Sequence, residues 1–286
     1  LEEKLQKAAR QNRLPDIVTV VHFAGNPCNM DRIHDLSQLF GFKVIEDASH
    51  ALGATYKNIP IGGDDRSEAA VFSFHPVKMI TTGEGGALIV SSKNSWKRAS
   101  LLRSHGIDNT VTTRTDKKIG WYYEQKALGY NYRMTEMQAA MGIEQLFRLN
   151  DFVNKRNMLA SVYKEALASL PVKFQSISEN TVSSYHLFTI QLTEEEFKRD
   201  TLYAFLKDHG IASQVHYIPV YKHPFYQSLG FDKNYCPHAD AYFKQCLSIP
   251  LHQKLEIEDL QFVAEHLKRF FLNQATPKSA SNSASL

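Results

Sequence analysis

In the first half of the chain, apolar positions fall into short runs, separated by stretches where they recur every third or fourth residue. IVTVV (17–21), followed by HFAG and closed by Gly25, is a β-branched run. KVIED (43–47), AAVFSF (69–74) and GALIV (86–90) have the same strand length. Between the first two, NMDRIHDLSQLFGF sets Ile33, Leu36, Leu39 and Phe40 at helical spacing, with Asn29 placed to cap the helix. The segment from Leu1 to about Arg13 reads as a basic amphipathic helix. Short apolar strands alternating with helices predict an α/β unit over residues 1–150, with a parallel or mixed sheet covered on both faces.

From Met134 to about Leu170 the pattern is helical, with no Gly or Pro after Gly142, and predicts one long element joining two lobes. Residues 151–273 read as a smaller α+β unit. HLFTIQL and IASQVHYI are expected as strands, EEEFKRDTLYAFLKDHG as a helix ending at Gly210, and two more helices follow. Residues 274–286 are small and polar and are expected to be a disordered tail. No internal repeat is found.

Composition narrows the function. The chain has 286 residues, 43% hydrophobic and 22% charged, with a net charge of +3. That supports a globular core and gives neither a basic stripe for nucleic acid nor a membrane span. Three scattered cysteines, Cys28, Cys236 and Cys246, form no CxxC pair. They fit neither a disulfide framework nor a metal site, and point to a reducing, cytoplasmic setting. The chain starts at Leu1 without a starter Met or an apolar leader, and the expectation is an N-terminal truncation of a longer protein.

Ligands in an open parallel sheet sit beyond the carboxyl ends of its strands. Asp47 stands at one such end, followed by His50. Ser73 stands near another, followed by His75, Pro76 and Lys78 and then the glycine-rich TTGEGG. Asp47 and Lys78 fit a scaffold salt bridge. They also fit a pyridoxal phosphate site, which needs a lysine amine, a carboxylate for the pyridine nitrogen and hydroxyl donors for the phosphate.

EDASHALGATY, FSFHPVKMITTGEGG, LLRSHGI, GYNYRMTEMQAAMG and GIASQVHYIPVY, in that order, resemble the DegT/StrS family of sugar-nucleotide aminotransferases. The resemblance runs from about Leu1 to Leu267. It implies a fold-type-I pyridoxal-phosphate-dependent transferase: a mixed, mostly parallel sheet with a smaller C-terminal α+β lobe. It makes Lys78 the cofactor-bearing lysine and acid–base, Asp47 the partner of the pyridine nitrogen, His50 a neighbour of the ring hydroxyl and Ser73 a phosphate ligand. Asn131 would reach the phosphate of a partner subunit, which implies a homodimer with shared sites. The structural alternatives are a satisfied strand-end histidine for His50 and a turn asparagine for Asn131.

His75, His216 and Tyr217 are substrate candidates, with loop or strand packing as the alternative. Arg103, His105 and Arg133 stay unassigned. The implied reaction is transfer of an amino group from glutamate to C4 of a 4-keto-6-deoxy UDP-sugar, in amino-sugar biosynthesis of the pseudaminic acid type. The family's dehydratase branch replaces the lysine with histidine, which Lys78 argues against. A non-catalytic sugar-nucleotide-binding module is a further reading. Family members carry an upstream segment that completes the phosphate cup, so a truncated chain is expected to be weakly active or inactive.

Overall fold

The computed structural model describes residues 1–108, 115 and 120–275. Two compact units are present: Leu1–Asp151 with Ser178–Ser184, and Phe152–Ile177 with Tyr185 onward.

The first unit is built on a four-stranded sheet of β1 (Ile17–Val21), β2 (Lys43–Asp47), β5 (Ala69–Ser73) and β6 (Gly86–Val90), in that order. β1, β2 and β5 are parallel, with Val21 opposite Asp47 and Asp47 opposite Val71. β6 runs antiparallel to β5, with Ser73 opposite Gly86. The three parallel strands therefore end along one rim, and Asp47 and Ser73 both lie on it.

Helices α1 (Glu2–Arg10) and α2 (Met30–Phe40) supply Leu5, Met30 and Leu36 to a core with Val20, Val44, Ala70 and Phe72. Asn29 caps α2 as expected, its side chain accepting the Arg32 N–H, and Gly41 ends it at φ 76°. The opposite sheet face is open: Ile17, Val21 and Leu88 are 52, 48 and 50% exposed. This differs from the expected two-sided cover, because a short all-apolar run looks the same whether one face or both are packed.

Small pairings flank the sheet. β3 (Thr55–Tyr56) lies between β4 (Ile59–Pro60) and β10 (Thr181–Val182), and β7 (Ile107–Asp108) pairs with β8 (Glu124–Gln125). After α3 (Lys93–Arg103) the chain turns at Gly106, where φ is +70° and an added Cβ would lie 1.8 Å from the Ala127 carbonyl oxygen. Only glycine fits there. α4 (Glu136–Leu146) opens with a capping box between Thr135 and Gln138.

The expected single helix over 134–170 is two, α4 and α5 (Leu149–Ala166). The Arg148 N–H bonds the Gln145 carbonyl three residues back, a tight turn that needs neither Gly nor Pro and so leaves no mark in the sequence.

The second unit centres on an antiparallel sheet of β12 (Cys246–Ile249), β11 (Phe188–Leu192) and β9 (Val172–Phe174). Leu159, Tyr163, Ile190, Leu206, Leu247 and Leu267 are fully buried in its core. α6 (Arg199–Asp208) excludes the Glu194–Glu196 run that the sequence pattern included. IASQVHYI is not a strand; it contributes one bridge, with Gln214 and Ser248 exchanging both backbone bonds. α7 (Pro224–Ser228) and α8 (Pro237–Gln245) follow, and α9 (Ile257–Ala275) closes the unit. α9 takes in Gln274 and Ala275 from the segment expected to be a tail; the rest of that segment lies outside the described residues. Among the described residues no helix is long and apolar enough to cross a membrane.

Candidate active site

Asp47 ends β2 half-buried, and its Oδ1 accepts the Ser49 N–H at 3.0 Å, turning the chain off the strand. Its carbonyl accepts the His22 N–H at 3.1 Å, tying the ends of β1 and β2 together. From β5 the chain enters a closed loop. The Phe74 N–H bonds Gly85 O at 2.9 Å, the Thr82 N–H bonds Phe74 O at 3.0 Å, and the Lys78 N–H bonds His75 O at 2.9 Å.

Met79 and Ile80 anchor the loop, at 2% and 1% exposure, and leave Lys78 half-buried at the rim. Burial pushes the Lys78 ammonium below the ordinary lysine pKa, while the negative charge of Asp47 works in the opposite direction. The two expected partners are thus electrostatically coupled. Burial outweighs the carboxylate, so the amine is more readily free of its proton than a surface lysine.

Ser73 and His50 belong to the same rim. Ser73 Oγ accepts the His75 N–H at 3.4 Å. His50 is 8% exposed, and its Nδ1 accepts the Ala24 N–H at 3.2 Å, which leaves Nε2 as the protonated nitrogen of the neutral ring. His50 is therefore a satisfied buried histidine on one side and a donor on the other.

The remaining candidates have the following settings. His75 is exposed, with Nδ1 accepting the Val77 N–H at 3.4 Å and Nε2 3.9 Å from Glu84 Oε1, so it shapes the lysine loop. Asn131 lies exposed on the segment that pairs with Ser104, flanked by the stacked rings of Tyr130 and Tyr132. Arg103 and His105 sit on the same pairing: the Arg103 carbonyl accepts the Tyr132 N–H, and the His105 N–H bonds Tyr130 O. Arg133 is exposed beside them. His216 and Tyr217 belong to the second unit, where His216 Nδ1 is 2.8 Å from Ser248 Oγ and Tyr217 is 53% exposed.

Sequence reasoning missed the support behind the rim. Glu46, on the covered face beside Asp47, is 2% exposed, with Oε2 2.8 Å from His22 Nε2 and Oε1 accepting the Ser67 hydroxyl. His22 Nδ1 accepts the Cys28 N–H at 3.1 Å. Ser183 Oγ bonds Gly25 O at 3.0 Å, and the fully buried Ser184 bonds His50 O at 2.7 Å through its hydroxyl. The alternation in KVIED marks Glu46 as inward-facing. Nothing local connects Ser184 to a histidine 134 residues away.

The donor set fits pyridoxal phosphate. It offers a carboxylate for a pyridinium nitrogen, a half-buried lysine amine, an imidazole N–H for the ring oxygen and a serine hydroxyl for the phosphate.

Comparison with known proteins gives the family. Over 269 residues the chain is 37% identical to the UDP-4-amino-4,6-dideoxy-N-acetyl-beta-L-altrosamine transaminase of Campylobacter jejuni, covering 93% of this chain and 69% of that one. The structure matches Helicobacter pylori PseC, an aminotransferase of pseudaminic acid biosynthesis. The TM-score is 0.83 at 29% identity, covering 92% of this chain and 68% of PseC. It also matches Streptococcus pneumoniae Spr1654 in its PLP form, with a TM-score of 0.80 at 27% identity, covering 93% and 72% of the two chains. Residues 2–268 match the DegT/DnrJ/EryC1/StrS aminotransferase family model, and the chain belongs to that family.

Proposed function

We propose that the protein transfers an amino group from glutamate to C4 of a 4-keto-6-deoxy UDP-sugar, in amino-sugar biosynthesis of the pseudaminic acid type, with pyridoxal phosphate as cofactor. The observation that carries this reading is the placement of Asp47 at the end of β2 and of the half-buried Lys78 on the loop after β5, at one rim of the sheet. Bound at the rim, the cofactor supplies an electron sink for the carbon that loses a proton.

The chain's residues supply the rest. The Asp47 carboxylate would keep a proton on the pyridine nitrogen, His50 would donate its Nε2–H to the ring oxygen, and the Ser73 hydroxyl would bind the phosphate. Lys78 Nζ would hold the cofactor and, when free, would take up and release a proton as the acid–base of the site.

Asn131 would complete the phosphate site of a second copy, and His75, His216 and Tyr217 remain candidates for contact with the sugar nucleotide. A homodimer is supported by the apolar side chains left open between Leu128 and Phe147: Leu128, Tyr132, Met137 and Phe147 are 90, 70, 83 and 78% exposed. Three free cysteines support a cytoplasmic setting. The test is turnover with glutamate and a 4-keto-6-deoxy UDP-sugar. Mixing Lys78→Ala with Asn131→Ala subunits should restore part of it through one intact site per heterodimer. An amino group delivered to another carbon or to another class of acceptor contradicts the reaction; a mixture that dimerises and stays inactive while the wild-type chain turns over contradicts the shared site.

A further inference from the structure

One face of α4 is turned to the loop that carries Lys78. The Thr81 N–H donates to Gln145 Oε1 at 3.1 Å, and Gln138 Nε2 donates to the Glu84 carbonyl at 3.0 Å. Between them Gly142 is buried so close to Thr82 that an added Cβ would lie 2.9 Å from its Cγ2. Positions 138, 142 and 145 stand at i, i+4 and i+7 and share one helix face.

The grip is directional. Gln138 Oε1 accepts the Thr135 N–H at 3.0 Å in the capping box, which turns its Nε2 toward Glu84. On the loop side, Thr81 Oγ1 donates to Phe74 O at 3.1 Å and accepts the Gly83 N–H at 3.0 Å. Thr81 is therefore pinned between the end of β5 and α4. Three residues before it stands Lys78, and the two residues between them, Met79 and Ile80, are buried. The Thr81 contact with α4 adds to the anchoring of the loop by Met79 and Ile80.

We infer that Gln145 is a positioning residue which, with Gln138 and Gly142, locks the Lys78 loop against α4 and so sets how deeply the Lys78 amine is held. Its consequence for turnover rests on the function proposed above; its consequence for the amine does not. Losing the acceptor for the Thr81 N–H frees the loop, lets water reach Nζ and weakens the desolvation that favours the free amine.

The test compares Gln145→Leu, which removes the acceptor, with Gln145→Glu, which keeps one. In the cofactor-free full chain, reaction of Lys78 with a small acylating reagent is followed against pH by peptide mapping, beside hydrogen exchange at Thr81 and the urea unfolding midpoint. Gln145→Leu should raise the Lys78 titration midpoint toward that of a surface lysine. It should speed Thr81 exchange about tenfold, the change expected from one hydrogen bond. Gln145→Glu should restore both. With cofactor loaded, kcat should fall in the Leu variant and KM for the UDP-sugar should hardly change.

An unmoved Lys78 midpoint in Gln145→Leu overturns the inference, as does equal loss of unfolding stability in both variants with that midpoint unchanged. If Gln145→Leu does not fold, Gly142→Ala, which pushes Thr82 off the same helix face, carries the comparison with the same two outcomes. A wild-type chain whose cofactor attaches to another lysine refutes the catalytic reading and leaves the cofactor-free result to decide the positioning role.

Discussion

The backbone N–H of Ala24 meets Nδ1 of His50 at 3.2 Å, so a turn at the end of β1 decides which nitrogen of a histidine beyond β2 carries the proton. Ala24 takes the left-handed conformation, at φ 59°, to make that contact. The ring can then offer only Nε2–H. Nitrogen-resolved NMR of the cofactor-free protein should show Nδ1 unprotonated. His50→Gln, which retains an N–H donor, should keep most of the cofactor affinity. His50→Leu should lose about tenfold, the worth of one hydrogen bond. Equal affinities for the Leu and wild-type proteins would remove His50 from the site.

The Asp47–Lys78 pair makes a prediction with a definite sign. The carboxylate favours the ammonium form and opposes the effect of burial. Asp47→Asn removes that opposition, so the Lys78 pKa falls further and the amine becomes reactive at lower pH than in the wild type. The pH profile of Lys78 modification, read by mass spectrometry, checks this. An upward shift would mean that Asp47 does not face the amine.

What the sequence made legible here is set by range. β1, β2, β5 and β6 announce themselves through continuous apolar runs, and Asn29 and Gly41 mark the ends of α2. Asp47 and Lys78 stand out in the sequence because strand ends carry ligands and because the surrounding motifs match a family. The break at Phe147–Arg148 was not, since it rests on a backbone turn rather than on a breaker residue. Nor was the role of IASQVHYI, whose β-like composition yields one bridge because only Gln214 finds a partner strand. Ser184, His22 and Gln145 act on residues 134, 24 and 64 positions away. No local pattern encodes such contacts.

In the second unit, Arg156 is 4% exposed and donates through Nη1 to the carbonyls of Tyr185, His186 and Leu251. Burial pushes its pKa down to about 10, so it remains charged at neutral pH while held by carbonyl dipoles. Arg156→Met removes the donor from three carbonyls and should destabilise the protein by about 2–4 kcal/mol, with Arg156→Lys losing less. Urea unfolding followed by near-UV circular dichroism measures it. An unchanged midpoint for the Met variant would show that water replaces the guanidinium at no cost.

The most direct measurement is the address of the cofactor. The chain is incubated with pyridoxal phosphate, reduced with borohydride, digested and mapped by mass spectrometry. A pyridoxyl group on Lys78, absent from Lys78→Ala, is the predicted result. A pyridoxyl group on any other lysine, or an equal yield in Lys78→Ala, would contradict the assignment of this rim as the active site.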